Sequence, residues 1–189
     1  MTRPHVPVVN IANILTVIRI ILVPLFVWFY LAGTTSYQVW ATAIFFIAGW
    51  TDQLDGYLAR SRGLVTDFGK IADPIADKAL VIAALILLSH ADLVPWWVTV
   101  VIIVRELGIT FLRFFMIRKA VIAASRGGKI KTTLQMLFIF LLLIPWQGLV
   151  AQPGGWILAG HIIMYAAVIV TVVSGLEYCW NAWRLQRHG

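Results

Sequence analysis

The sequence predicts an all-α integral membrane protein with six transmembrane helices, and three observations lead to that fold class. Of the 189 residues, 61% are hydrophobic and 12% are charged, whereas soluble domains average about half apolar and about a quarter charged. Six apolar segments follow one another, most of them near the roughly 20 residues that a helix needs to cross a ~30 Å hydrocarbon core. Among the connections between these segments, only alternate ones carry Lys or Arg.

The first three helices are predicted at residues 11–31, 37–60 and 69–88. The first contains Pro24, which a bilayer helix tolerates when neighbouring groups satisfy the freed carbonyl. A turn at 33–36 leads to the second helix, and a loop at 61–68 leads to the third. Pro74 lies early enough in the third helix to suit its first or second turn.

The last three helices are predicted at residues 95–116, 132–143 and 156–183, with turns at 89–94 and 145–155. A basic loop at 117–131 precedes the fifth helix, and its Gly127–Gly128 pair is interpreted as a flexible loop or as a phosphate-binding turn at the helix N-terminus. Arg184 and Arg187 end the sixth helix, where long cationic side chains reach the membrane surface.

The basic residues predict the topology. The three connections on one side contain no Lys or Arg, so the positive-inside rule makes both termini cytoplasmic. We therefore expect one domain over 1–189 with a short cytoplasmic segment at 1–10, no cleavable signal peptide, and a multi-pass location in the cell inner (cytoplasmic) membrane. The net charge of +7 follows from this topology and from attraction to anionic headgroups, so no nucleic acid partner is predicted.

Acidic residues are concentrated in one stretch. Five of the eight lie between residues 50 and 78: Asp52, Asp55, Asp67, Asp73 and Asp77. Because carboxylates in a membrane are costly, such a cluster predicts a functional site. At 100° per residue one stripe of the second helix carries Asp52, Asp55, Gly56, Ala59 and Arg60. Gly69, Asp73 and Asp77 share one side of the third helix, so two pairs of carboxylates face a common cleft that opens at the cytoplasmic side.

Two further interpretations of the acids stay open beside a metal site. Clustered carboxylates need a countercharge, and oxygen ligands without His or Cys favour two Mg²⁺ or Mn²⁺ ions. The acids could instead form ion pairs with nearby cations and hold helices together, or they could serve an ion transporter. Transporters usually have paired repeats with discontinuous helices, and the sequence shows neither.

The spacing Asp52-x2-Asp55-Gly56-x2-Ala59-Arg60-x8-Gly69-x3-Asp73-x3-Asp77 resembles the complete signature of the CDP-alcohol phosphatidyltransferase family. The resemblance implies a six-helix membrane enzyme, a homodimer, that moves a phosphatidyl group from a CDP-linked lipid to an alcohol and releases CMP. It implies that the metal ligands are Asp52, Asp55, Asp73 and Asp77. Asp77 would also be the general base. The donor nucleotide would be contacted by Asp55, Gly56, Ala59, Arg60 and Gly69.

Two later motifs resemble the phosphatidylglycerophosphate synthase branch of that family. They are Arg105-Glu106-x3-Thr110-x2-Arg113 and Ala124-Ser125-Arg126-x2-Gly128-Lys129-x-Lys131-Thr132-x2-Gln135. This branch implies CDP-diacylglycerol as donor and glycerol 3-phosphate as acceptor. Cardiolipin synthases share the first half of the chain closely, so phosphatidylglycerol stays an alternative acceptor.

A glycerol 3-phosphate acceptor brings a dianionic phosphate, which asks for two or more Arg or Lys groups. The candidates are Arg105, Arg113, Arg126, Lys129 and Lys131. Arg105 lies in the middle of a span, and a merely structural pairing with Glu106 is the alternative to phosphate binding. Two roles stay open for Arg19: it could tether a helix, or it could belong to the active site.

Overall fold

The computed structural model describes the backbone of residues 11–62, 67–116 and 126–187. Side chains are described for the same residues except 11–12, 52–74, 77, 113–127, 182 and 185–187. This part of the chain is helical and contains no strand, as predicted. Its helices are α1 Ile11–Leu31, α2 Thr35–Arg62, α3 Asp67–His90, α4 Trp96–Met116, α5 Arg126–Leu143, α6 Trp146–Leu149 and α7 Gly154–Arg187.

The six long helices correspond to the six predicted segments. The bounds of α1 are those predicted, and α4 begins one residue later than expected. Helices α2 and α3 are each longer at both ends, which shortens the predicted loop at 61–68 to residues 63–66, outside the described part. The short α6 lies within the predicted turn at 145–155, and α7 extends past both predicted ends.

The prediction of a loop through residue 131 is wrong at its C-terminal end. Helix α5 begins at Arg126, so Gly127 and Gly128 are helical. The loop was predicted to extend to residue 131 because the segment is rich in charged residues. In the structure Thr132 Oγ1 donates to the Gly128 carbonyl at 3.0 Å, and Lys131 is buried against a carboxylate of α4. This tertiary ion pair stabilises helix in a segment whose composition resembles a loop.

Among the described residues, two helical segments are long and apolar enough to cross a membrane by length and composition: Asn13–Leu31, with a mean hydropathy of 2.4, and Gly154–Asn181, with 2.2. Both expose large apolar side chains, such as Ile21 at 61% and Leu176 at 67%. Exposed apolar surface of this kind suits contact with lipid. Six spans and the sidedness of the connections stay predictions.

The chain divides into two compact units, and the first comprises Met1–Leu87 with Leu143–Leu149. Gly33, with φ 78°, ends α1 in the left-handed conformation that glycine adopts without strain. Phe26 of α1 packs on Phe45 of α2 with ring centroids 5.8 Å apart. Thr42 Oγ1 donates to the Leu143 carbonyl at 2.9 Å, so the end of α5 is tied to α2.

The second unit comprises Leu88–Leu142 with Val150–Gly189, and it contains α4, most of α5 and α7. Apolar side chains of all three helices are buried in it: Val98, Ile102, Phe138, Ile139, Met164 and Ala167. Polar contacts fix its ends, since Ser89 Oγ and Thr99 Oγ1 lie 2.6 Å apart. His161 Nε2 lies 2.8 Å from the Leu93 carbonyl. The prediction of a single domain over 1–189 stays a prediction.

Candidate active site

Buried residues of α2 and α3 lie at helical spacings from the acidic positions. On α2, spacings of four and three residues run from Ala41, Phe45 and Ala48, all buried, to positions 52 and 55. On α3, positions 73 and 77 are followed at the same spacing by Val81 and Leu85, also buried. Residues at these spacings share a helix face, so the sequence pattern relates the four acidic positions to these buried residues, and the side chains of the four lie outside the described set.

The opposite faces of the same helices are apolar and exposed. Trp50 of α2 is 62% exposed and Ile75 of α3 is 60% exposed, which is expected of side chains that meet lipid. The predicted site residues from Asp52 to Asp77 have side chains outside the described set: Asp52, Asp55, Gly56, Ala59, Arg60, Gly69, Asp73 and Asp77. The side chains that are described contain no group of three or more His, Cys, Asp or Glu that could hold a metal.

A buried polar cluster in the second unit is centred on Glu106 of α4. Its Oε1 atom lies 3.3 Å from Arg105 Nη1 and also forms an ion pair with Lys131 Nζ of α5. Lys131 is only 4% exposed, and long cationic side chains are rarely that buried without a partner. We call these three residues the Glu106 cluster. It contains two cations and one anion.

The Arg105 side chain packs against helix α7. Arg105 Nη2 donates to Ser174 Oγ at 3.2 Å, and Ser174 Oγ donates to the Thr171 carbonyl at 3.2 Å. A Cβ atom built on Gly175 would lie 3.3 Å from Arg105 Cγ, closer than an ordinary van der Waals contact. Glycine therefore makes room for the arginine at this position.

Three atoms of this region are buried without a hydrogen-bond partner: Arg105 Nε, Gln135 Oε1 and Thr171 Oγ1. Gln135 lies one helical turn after Lys131 on α5, and Thr171 lies one turn before Ser174 on α7. Buried polar atoms are nearly always paired with protein or water. One donor, one acceptor and one hydroxyl oxygen are thus left for water or a ligand.

The other predicted cations are distributed as follows. Lys129 is exposed on the first turns of α5. The side chains of Arg113 and Arg126 lie outside the described set. Arg19 is buried on α1 in the first unit, and the guanidinium of Arg184 lies 5.5 Å from the centre of the exposed Trp180 ring.

The sequence left a structural pairing of Arg105 with Glu106 open as the alternative to phosphate binding, and in the structure Glu106 contacts both Arg105 and Lys131. The sequence analysis assigned no role to Ser174, Thr171 or Gly175, because the predicted sixth helix is apolar and contains no motif. The available signal was three small residues on adjoining turns of an otherwise apolar helix, where small and hydroxyl side chains are typical of helix contacts in membranes.

A sequence model of CDP-alcohol phosphatidyltransferases matches residues 9–173, which include the acidic signature and the Glu106 cluster. The chain belongs to the CDP-alcohol phosphatidyltransferase family. This confirms the family predicted from the spacing of Asp52 to Asp77, and with it a membrane-associated transferase of phospholipid synthesis.

Several relatives of this CDP-alcohol phosphatidyltransferase are similar over most of its length. A probable phosphatidylglycerophosphate synthase of Mycobacterium tuberculosis is 46% identical over 180 residues, covering 94% of this chain and 83% of the relative. The CDP-diacylglycerol–glycerol-3-phosphate 3-phosphatidyltransferase of Bacillus subtilis is 42% identical, covering 92% and 95%. The enzyme of that name from Escherichia coli is 38% identical, covering 89% and 92%.

Proposed function

We propose that this chain transfers the phosphatidyl group of CDP-diacylglycerol to sn-glycerol 3-phosphate, giving phosphatidylglycerophosphate and CMP. The observation that carries the proposal is the similarity, at 38–46% identity over most of the chain, to proteins named for this reaction or its product. The complete acidic signature from Asp52 to Asp77 supports the chemistry, and the Glu106 cluster supports an anionic acceptor.

The donor set fits hard divalent cations. Asp52, Asp55, Asp73 and Asp77 would hold Mg²⁺ or Mn²⁺, two ions in our proposal, since carboxylate oxygens without His or Cys favour these metals. The fit is supported by the concentration of these acids in an apolar stretch of the sequence, because clustered carboxylates need countercharge. When bound, the ions supply charge neutralisation to the diphosphate and to the departing CMP.

Residues of the chain bind and orient the substrates, and one of them accepts a proton. Asp77 accepts the proton of the acceptor's hydroxyl, whose oxygen forms a bond to the β-phosphorus while the bond from that phosphorus to CMP breaks. Gly56, Ala59 and Gly69 leave room for the nucleotide, and Asp55 and Arg60 contact it. Positioning and charge stabilisation account for most of the rate in transfers of this kind.

The acceptor's phosphate is bound by basic residues of the second unit. Of the five candidates, Arg105 and Lys131 are the best supported, because they lie together on one carboxylate with partly buried surroundings. Charged hydrogen bonds from such groups to phosphate are about twice as strong as neutral ones. Arg113, Arg126 and Lys129 remain proposed members of the set.

We further propose that the enzyme is a homodimer in the inner (cytoplasmic) membrane, with six spans per chain and the active site facing the cytoplasm. The distribution of Lys and Arg over alternate connections supports this orientation.

Release of CMP by the purified protein in detergent tests the function. We expect CMP from CDP-diacylglycerol with glycerol 3-phosphate, and little with phosphatidylglycerol or inositol phosphate. Preference for phosphatidylglycerol would make the chain a cardiolipin synthase. Absence of CMP with every acceptor would contradict the transferase and favour a transporter or a binding protein.

A further inference from the structure

Two buried polar side chains of the second unit lie near the Glu106 cluster and take no part in its ion pairs. Gln135 of α5 is 3% exposed and Thr171 of α7 is fully buried. Among the residues that the structure describes, Gln135 Oε1, Thr171 Oγ1 and Arg105 Nε have no hydrogen-bond partner. Because buried polar atoms are nearly always paired with protein or water, these three atoms point to a bound group that completes their hydrogen bonds.

The position of Thr171 relative to the cluster follows from the direction of α4 and α7. The Leu93 carbonyl, just before α4, lies 2.8 Å from His161 Nε2 near the start of α7. Further along both helices, Arg105 Nη2 donates to Ser174 Oγ. The two helices therefore run in the same direction, and Thr171 lies one turn from Ser174 toward their N-terminal ends.

Helix α5 runs in the opposite direction to α7, because its C-terminal end meets the start of α7. A Cβ atom built on Gly160 of α7 would lie 2.7 Å from Leu142 Cδ2 of α5. Gln135 follows Lys131 by one turn, so it is displaced from the cluster toward that same end. Gln135 and Thr171 thus lie on the same side of the Glu106 cluster, one helical turn beyond it.

The surroundings of these two side chains favour a neutral ligand group. On this side of the cluster the three helices bury apolar side chains completely: Ile102, Ile139 and Ala167. An additional charge among them would be costly to desolvate. An alcohol hydroxyl fits, since it donates its proton to Gln135 Oε1 and accepts from Thr171 Oγ1 or Arg105 Nε.

We propose that Gln135 and Thr171 are specificity-determining residues that bind the secondary hydroxyl of the acceptor. This inference rests on the proposed function, and specifically on binding of the acceptor's phosphate beside Arg105. Two carbon atoms separate the secondary hydroxyl oxygen of glycerol 3-phosphate from its phosphate ester oxygen, and one helical turn is about 5.4 Å. One molecule can therefore place its phosphate at the Glu106 cluster and this hydroxyl one turn further in. The primary hydroxyl, which reacts, contacts neither side chain.

The test compares two acceptors that differ only in this hydroxyl. The analogue 3-hydroxypropyl phosphate keeps the phosphate and the reacting primary hydroxyl but lacks the secondary one. We expect the wild-type enzyme, assayed by CMP release in detergent, to have a kcat/KM about tenfold higher for glycerol 3-phosphate, the effect of one buried hydrogen bond.

Two variants then locate the groups that make this distinction. Thr171→Val and Gln135→Met keep the size of the side chain and remove its polar atoms. Each should lower kcat/KM for glycerol 3-phosphate about tenfold, leave kcat/KM for 3-hydroxypropyl phosphate unchanged, and leave the Ki of inorganic phosphate unchanged. Thr133→Val, which removes an exposed hydroxyl of α5, is the matched control and should change none of these constants.

Equal kcat/KM values of the wild-type enzyme for the two acceptors would overturn the inference, and this measurement needs no variant. Equal losses with both acceptors in the variants would also overturn it, because the two side chains would then serve helix packing or hold a buried water. The variants lie on different helices, so either one alone can give this result if the other does not fold. Failure of the proposed function is seen separately, as no CMP release by wild-type enzyme with either acceptor.

Discussion

Two glycine-to-alanine substitutions test whether the placement of Arg105 matters for the acceptor. A Cβ at Gly175 would lie 3.3 Å from Arg105 Cγ, whereas a Cβ at Gly108 on α4 would meet no atom within 4 Å. Alanine in a helix interior is more favourable than glycine by roughly 0.5–1 kcal/mol. Gly108→Ala should therefore raise the thermal midpoint and leave the kinetics unchanged, which makes it the matched control.

At Gly175 the same gain in helix propensity is opposed by the contact. The added methyl group must push Arg105 away by a few tenths of an ångström, because a carbon–carbon contact is comfortable near 3.5–4.0 Å. A misplacement of about 1 Å can cost about a hundredfold in rate, so a shift a third as large should cost a few-fold. We expect Gly175→Ala to raise the KM for glycerol 3-phosphate about three- to fivefold on this scale, with no change in the KM for CDP-diacylglycerol.

The assay is CMP release by purified enzyme in detergent, with each substrate varied while the other saturates. Thermal midpoints of the two variants, measured in the same detergent, show that both are folded. If Gly175→Ala and Gly108→Ala have equal KM values for glycerol 3-phosphate, the position of Arg105 against α7 does not govern acceptor binding. The assignment of Arg105 to the acceptor phosphate would then be wrong.

Three further predictions concern the chemistry and the cations. Asp77→Asn preserves the side-chain shape but removes the base, so CMP release should fall about 10²–10⁴-fold, and near wild-type turnover would refute the assignment. A chelator should abolish CMP release and added Mg²⁺ or Mn²⁺ should restore it; activity that persists in the chelator would exclude the metal proposal. Lys131→Ala should raise the KM for glycerol 3-phosphate about tenfold or more, and the exposed Lys129→Ala should raise it less; equal effects would argue against the buried cluster as the phosphate site.

The helices were predictable because they depend on local pattern. The length of the first apolar segment predicted both ends of α1 to the residue, since a span needs a certain number of apolar residues. The spacing of Asp52 and Asp55 predicts a shared face, which stays a prediction, and on the same stripe Ala48 and Phe45 are buried. Periodicity alone cannot say which face is inward in an apolar helix, because lipid-facing and core-facing side chains are equally hydrophobic.

The start of α5 was not predictable from composition, because what stabilises it lies 25 residues away. Lys129 and Lys131 resemble a solvated basic loop in the sequence. The ion pair from Lys131 to Glu106 makes one of them a buried helical residue. A single sequence contains no signal for such a long-range pair.

Membrane topology does not explain every basic residue that contributes to the net charge of +7. Most basic residues can be assigned to the cytoplasmic surface, where each interacts with anionic headgroups by about 1 kcal/mol. Lys131 does not fit that assignment, since a buried ammonium gains little from headgroups and loses several kcal/mol of hydration. A partner must offset that loss, and the Glu106 carboxylate is one such partner. The burial of Lys131 is therefore explained by its contact with α4 and not by topology, which is why we place this lysine among the proposed acceptor residues and not among the surface cations.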